Sequence, residues 1–127
     1  MKRQDYNAIE VPLPKGGYSQ VVALEDFKRL VFVSGQIPAD RHDIVASDFP
    51  SQARQAWANV DAQLAAAGMS KRDIVKVTIF LSDRSHAMPN RETRQAYLGE
   101  LRPAMSVVIC GIFDESWLLE IEVVAAA

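Results

Sequence analysis

Residues 74–81 read Ile74-Val75-Lys76-Val77-Thr78-Ile79-Phe80-Leu81, a β-branched run that is almost continuously apolar. Such a run is expected of a central strand covered on both faces. Upstream, Ala53, Ala56, Trp57, Val60 and Leu64 recur at helical spacing, while Gln52, Arg54, Gln55, Asp61 and Gln63 fall mostly elsewhere. Asp48 is placed to cap this helix, Pro50 sits in its first turn and Gly68 supplies the stop. Downstream, Asp83 to Ser85 forms a turn. Pro89 and then Arg91 to Leu101, with Thr93, Ala96, Tyr97 and Leu101 at helical spacing, predict a second helix that Pro103 ends. Ser106–Cys110 and Leu118–Val124 read as two closing strands, connected through Phe113 to Ser116.

On the N-terminal side, Tyr18 to Leu24 alternates as a strand, Glu25 to Arg29 makes a polar turn, and Leu30 to Ser34 returns as the second arm of a hairpin. That arm ends at Gly35-Gln36-Ile37-Pro38, where glycine permits close backbone approach and proline stops pairing. Residues 39–47 read as a loop. The predicted order is β-β-α-β-α-β-β, an α+β domain over residues 1–127 with both helices on one face of a sheet. The opposite face then lacks a cover within the chain, and a partner copy is the simplest one.

Composition narrows the function classes. The 127 residues are 49% hydrophobic and 24% charged, ordinary for a globular protein. A net charge of -2 gives no overall field toward phosphate backbones or anionic lipid, so neither nucleic acid nor membrane is an expected partner. Cys110 is the only cysteine, which excludes an internal disulfide. With no apolar leader and no spanning run, a cytoplasmic location is expected.

The residues able to carry chemistry are few. A period of two puts Glu120 and Glu122 on one face of the last strand, beside Leu118 and Val124. Glu122 reads as a solvated rim position. Glu120 is the candidate to line a pocket between subunits and act on water. Ser34-Gly35-Gln36-Ile37-Pro38 follows a strand and can present backbone N–H groups and a hydroxyl, although a structural turn explains it equally well. His42 and His86 lack metal-site spacing and read as exposed loop residues, so no metal is expected. Trp57 reads as core, and Cys110 as a small hydrophobe.

Together, Gly17-Tyr18-Ser19-Gln20, Ser34-Gly35-Gln36-Ile37-Pro38, Gln52 to Val60, Ala67-Gly68, Ile74 to Leu81, Asn90, Pro103-Ala104 and Glu120-Ile121-Glu122 resemble the Rid family, also called YjgF or reactive-intermediate deaminase. The match runs in order from about Gly17 to Ala125. The resemblance implies a chorismate-mutase-like fold and a homotrimer with small-molecule clefts between neighbouring subunits. It also implies hydrolysis of enamines and imines, such as 2-aminoacrylate and its 2-iminopropionate tautomer, to a 2-keto acid and ammonia, with no metal or cofactor. Carried over by position, Tyr18, Ser34, Gly35, Asn90, the main chain of Val107 and Glu120 line the cleft, with Glu120 positioning water.

One position departs from the pattern. Active members carry an arginine after Pro-Ala that grips the substrate carboxylate, and this chain reads Arg102-Pro103-Ala104-Met105-Ser106. A thioether is a weak acceptor and donates nothing, so Met105 does not replace a planar guanidinium fork. Arg102, three residues away along an extended chain, faces the other side. Two functions follow as expectations: hydrolysis of a less acidic, more apolar imine with Met105 in the pocket, or a non-catalytic trimer that binds a metabolite. Ribonuclease activity, attributed to some relatives, is the reading the charge balance favours least.

Overall fold

The computed structural model describes residues 1–127. Its strands and helices are β1 (Lys2–Tyr6), β2 (Val21–Glu25), β3 (Leu30–Gln36), α1 (Phe49–Ala66), β4 (Ile74–Leu81), α2 (Ala87–Leu98), β5 (Ala104–Ile109) and β6 (Leu119–Ala126). Strands β3, β6, β4 and β5 form one sheet in that order. The pairs β3–β6 and β6–β4 are antiparallel, while β4–β5 is parallel.

The 74–81 run is the central strand that its apolar continuity predicts, flanked by β6 and β5. Ile74, Val77, Ile79 and Leu81 of β4 and Leu119, Ile121, Val123 and Ala125 of β6 are buried, and they meet the apolar stripe of α1 at Ala53, Ala56, Trp57, Val60 and Leu64. Fully burying a branched aliphatic side chain contributes roughly 1.5–3 kcal/mol, so this layer is the main source of cohesion. Asp48 caps α1 by accepting from the Ser51 N–H at 2.9 Å. Beyond the helix, Gly68 takes φ +74°, and the Met69 N–H donates to Leu64 O at 2.8 Å, which closes the C-terminus.

Three readings are corrected. The predicted hairpin between Tyr18–Leu24 and Leu30–Ser34 does not form: β2 pairs with β1, and β3 pairs with β6. Strand β1 has a polar sequence with no apolar alternation, so its strand character is set by pairing and not by its own pattern. The β1–β2 ribbon is instead tied to the start of β5. Ser19 N–H donates to Pro103 O at 3.0 Å, and Arg3 donates to Ile74 O and Arg102 O at 3.2 and 3.1 Å.

The second helix begins earlier and ends sooner than expected, since Gly99 at φ 58° stops it after Leu98. It also buries a different stripe, Asn90, Arg94 and Leu98, while Ala96 is exposed. His86 is half-buried and stacks on Phe49 with ring centroids 4.9 Å apart, so it is not an exposed loop residue.

The sheet face opposite the helices is open, as the layer argument requires. Phe32 is 73% exposed there. In register with it run Val124 and Lys76, then Glu122 and Thr78, then Glu120 and Phe80. No helix is long and apolar enough to cross a membrane.

Candidate active site

The predicted site residues fall into two groups on opposite sides of the sheet. The first is built where β3 meets β6. Their register shifts between Val33 and Gln36, so Ser34 and Gly35 occupy a bulge. Glu120 lies directly over the Gly35 backbone. A methyl group built on Gly35 would stand 2.7 Å from Glu120 Cδ and 2.9 Å from Cγ. The bare backbone is therefore what gives the carboxylate room. Glu120 is half-buried opposite Phe80 and borders a hollow of about 270 Å³ with Phe80, Cys110, Gly111 and Phe113.

Ser34 sits one row away, with Glu122, Lys76 and Thr78, at the edge of a neighbouring hollow of about 410 Å³. Glu122 is exposed, in keeping with its reading as a rim position. The chain's one ion pair joins Arg3 to Asp5, so Glu120 and Glu122 both stand without a cation.

The second group lies on the helix side of the β5 edge. Met105 is paired with Val77, and Val107 with Ile79, which turns both side chains toward the layer that holds the helices. Val107 is on an edge strand, where alternate backbone N–H and C=O groups are left unpaired by the sheet. Asn90 is buried in the first turns of α2, with no hydrogen-bond partner for Oδ1.

Four residues after Asn90, Arg94 is also buried. It donates from Nη1 to Met105 Sδ at 3.1 Å, and its Nε has no partner. Burial lowers the pKa of this guanidinium, and the charge of Arg91 acts in the same direction. Tyr18 is half-buried, and two residues before it the Gly16 backbone passes close to the Arg94 Nη2 group.

Arg102 does not take Met105's place. Its Nη1 is held by Gly99 O and Leu101 O at 3.0 and 3.1 Å. Sequence reasoning missed Arg94 because a charged residue on a polar helix reads as solvated surface. The available signal was spacing alone: Asn90, Arg94 and Leu98 stand at i, i+4 and i+8.

Gly35 and Glu120 are thus brought together, as are Arg94 and Met105, with Asn90 one helical turn before Arg94. The sheet separates the two groups within one chain. No set of three His, Cys, Asp or Glu side chains is grouped so as to hold a metal ion.

Residues 8–127 match the family model described as Endoribonuclease L-PSP. The chain is 37% identical over 118 residues to the 2-iminobutanoate/2-iminopropanoate deaminase of Salmonella typhimurium, covering 90% of each chain. It belongs to the Rid family. The Rid protein YyfB of Yersinia pestis superposes over 100% of both chains with a TM-score of 0.84 at 21% identity, a likeness of fold. TdcF of Escherichia coli, solved with bound serine, superposes with a TM-score of 0.74 at 30% identity over 98% of each chain. The α+β architecture with two helices and a mixed sheet is that of the Rid structures.

Proposed function

We propose that this Rid protein hydrolyses a reactive imine or enamine to a carbonyl compound and ammonia, in clefts between the subunits of a cytoplasmic homotrimer. The placement of Glu120 over Gly35 carries the reading. A carboxylate without a cation, half-withdrawn from solvent beside a backbone bulge, can accept a proton from water and hold that water's oxygen toward an electrophilic carbon.

In the reaction, the enamine first takes its imine form. Water then adds to the C=N carbon, and its proton passes by way of Glu120 to the nitrogen. The hydroxyl proton of the carbinolamine then moves to the nitrogen and the C–N bond breaks, releasing ammonia and leaving C=O. Atoms and charge balance without an electron acceptor or a cofactor.

The division of residues supports a site shared between copies. Ser34, Gly35 and Glu120 face the open side of the sheet, whereas Met105 and the Val107 main chain lie at the β5 edge, with Tyr18 near the start of that strand and Asn90 on α2. One chain does not bring the two sets into contact, and two adjoining chains can. The named activity of the Salmonella relative agrees with this chemistry. Ribonuclease activity, which the family model's description carries, is the less favoured reading, because a net charge of -2 provides little attraction for a phosphate backbone.

The test is ammonia release from freshly generated 2-iminopropionate and from the uncharged imine of acetone. Wild type is expected to exceed the buffer rate on at least one of them, and Glu120→Gln to lose about a hundredfold or more. Saturable ligand binding with no turnover of any imine would instead identify a non-catalytic metabolite-binding protein.

A further inference from the structure

A hollow of about 480 Å³ runs along the trough between α1 and α2, with the sheet between it and Glu120. One wall is the α1 stripe from Pro50 to Asp61, which rises roughly 16 Å, and the other is α2 from Pro89 to Tyr97. Ala58 and Ala96 are exposed on the two walls, and their short side chains leave the trough open. Its volume is that of a site for a small molecule.

Trp57 lines this trough at 2% exposure, stacked on Tyr97. Its indole Nε1 has no acceptor anywhere in the chain. A buried indole N–H ordinarily finds one, so the donor is left for something the chain does not supply.

The charges of the trough are also unspent. Arg54, Asp61 and Glu92 line it, and none of them forms an ion pair. Arg54 turns back along its own helix to Ser51 Oγ at 3.2 Å, whereas the Asp61 carboxylate is oriented by the Tyr97 hydroxyl. Two carboxylates against one guanidinium give the lining a negative balance that favours a cation.

We propose that the trough between α1 and α2 is a second binding site, for a small protonated aromatic amine with a hydrogen-bond acceptor on its ring. The ammonium pairs with Asp61, with Glu92 adding negative charge from the opposite wall. The ring lies along Ala58 and Ala96 against the Trp57–Tyr97 stack, and the acceptor meets Trp57 Nε1. This site is separate from Glu120 and stands independently of the imine-hydrolase reading.

The indole N–H resonances of the two tryptophans, assigned with Trp117→Phe, read the site directly. Tyramine carries the ammonium, the ring and the oxygen, and it is expected to shift the Trp57 resonance saturably with a Kd of about 1 mM or tighter. Phenethylamine, which lacks the oxygen, should bind about fivefold more weakly. The anion 4-hydroxyphenylacetate, which reverses the charge, should bind about tenfold more weakly or worse.

Asp61→Asn is expected to weaken tyramine by about threefold or more. Ala96→Leu, an exposed helical position, should fill the trough and cost about tenfold or more with the fold intact. A Trp57 resonance that stays in place up to about 10 mM tyramine overturns the site. So does equal binding of 4-hydroxyphenylacetate, or wild-type affinity in both Asp61→Asn and Ala96→Leu.

Discussion

Glu120 rests on the main chain of Gly35, and the absence of a Cβ there is the condition for its position. Gly35→Ala should displace the carboxylate, because the new methyl would overlap Glu120 Cγ and Cδ. A shift on the order of 1 Å in a catalytic group costs about a hundredfold in rate, whereas overpacking at a half-buried site costs about 1–3 kcal/mol. The variant is therefore expected to fold and to lose most of its ammonia release. Wild-type turnover in Gly35→Ala would show that Glu120 does not act from this position.

Phe32 stands 73% exposed on the open face of the sheet, in register with Val124. Burial of that ring is expected to come from a second copy. Phe32→Lys should weaken self-association by about tenfold or more, read by sedimentation velocity, and reduce turnover in parallel. A wild-type protein that sediments as a monomer at working concentration would contradict the shared site.

Gln52 is 1% exposed and joins three backbone segments. Its Nε2 donates to Ala46 O and Ser116 O at 2.8 and 2.9 Å, and its Oε1 accepts from Leu118 N–H at 2.8 Å. These bonds fix the entry to β6, one residue before the strand that carries Glu120. Gln52→Leu leaves the partner groups unpaired, and a loss of about 2–4 kcal/mol in unfolding free energy is expected. A denaturant midpoint unchanged from wild type would remove Gln52 from this role.

Tyr97 stacks on Trp57 with ring centroids 4.3 Å apart and donates its hydroxyl to Asp61. Burial, then the bond to Asp61 and its charge, push the phenol well above its usual pKa. A phenol whose folded pKa is raised contributes stability that is complete below its unfolded pKa of about 10 and declines as pH rises beyond it. The tyrosinate absorbance of wild type minus Tyr97→Phe should therefore be absent at about pH 10 and emerge there on unfolding. A difference spectrum that titrates near pH 10 in the folded protein would refute the half-buried, hydrogen-bonded phenol.

Much of the fold is legible in the chain because it rests on periodicity. The β-branched run Ile74 to Leu81, the α1 stripe and the alternation of Glu120 with Ile121 fix which faces are apolar, and that dictates two helices on one side of a sheet. Sequence alone also determined that position 105 is a methionine and that no guanidinium issues from it.

Pairing and the second helix's buried face were decided only in three dimensions. Polar β1 has no pattern of its own and becomes a strand through backbone bonds to β2, which depend on partner geometry and not on side-chain type. Arg94 is indistinguishable from a solvated arginine until α2 packs on α1 and its side chain reaches β5. Contact between residues 11 positions apart then places its charge against Met105 Sδ, because proximity across elements is a property of packing.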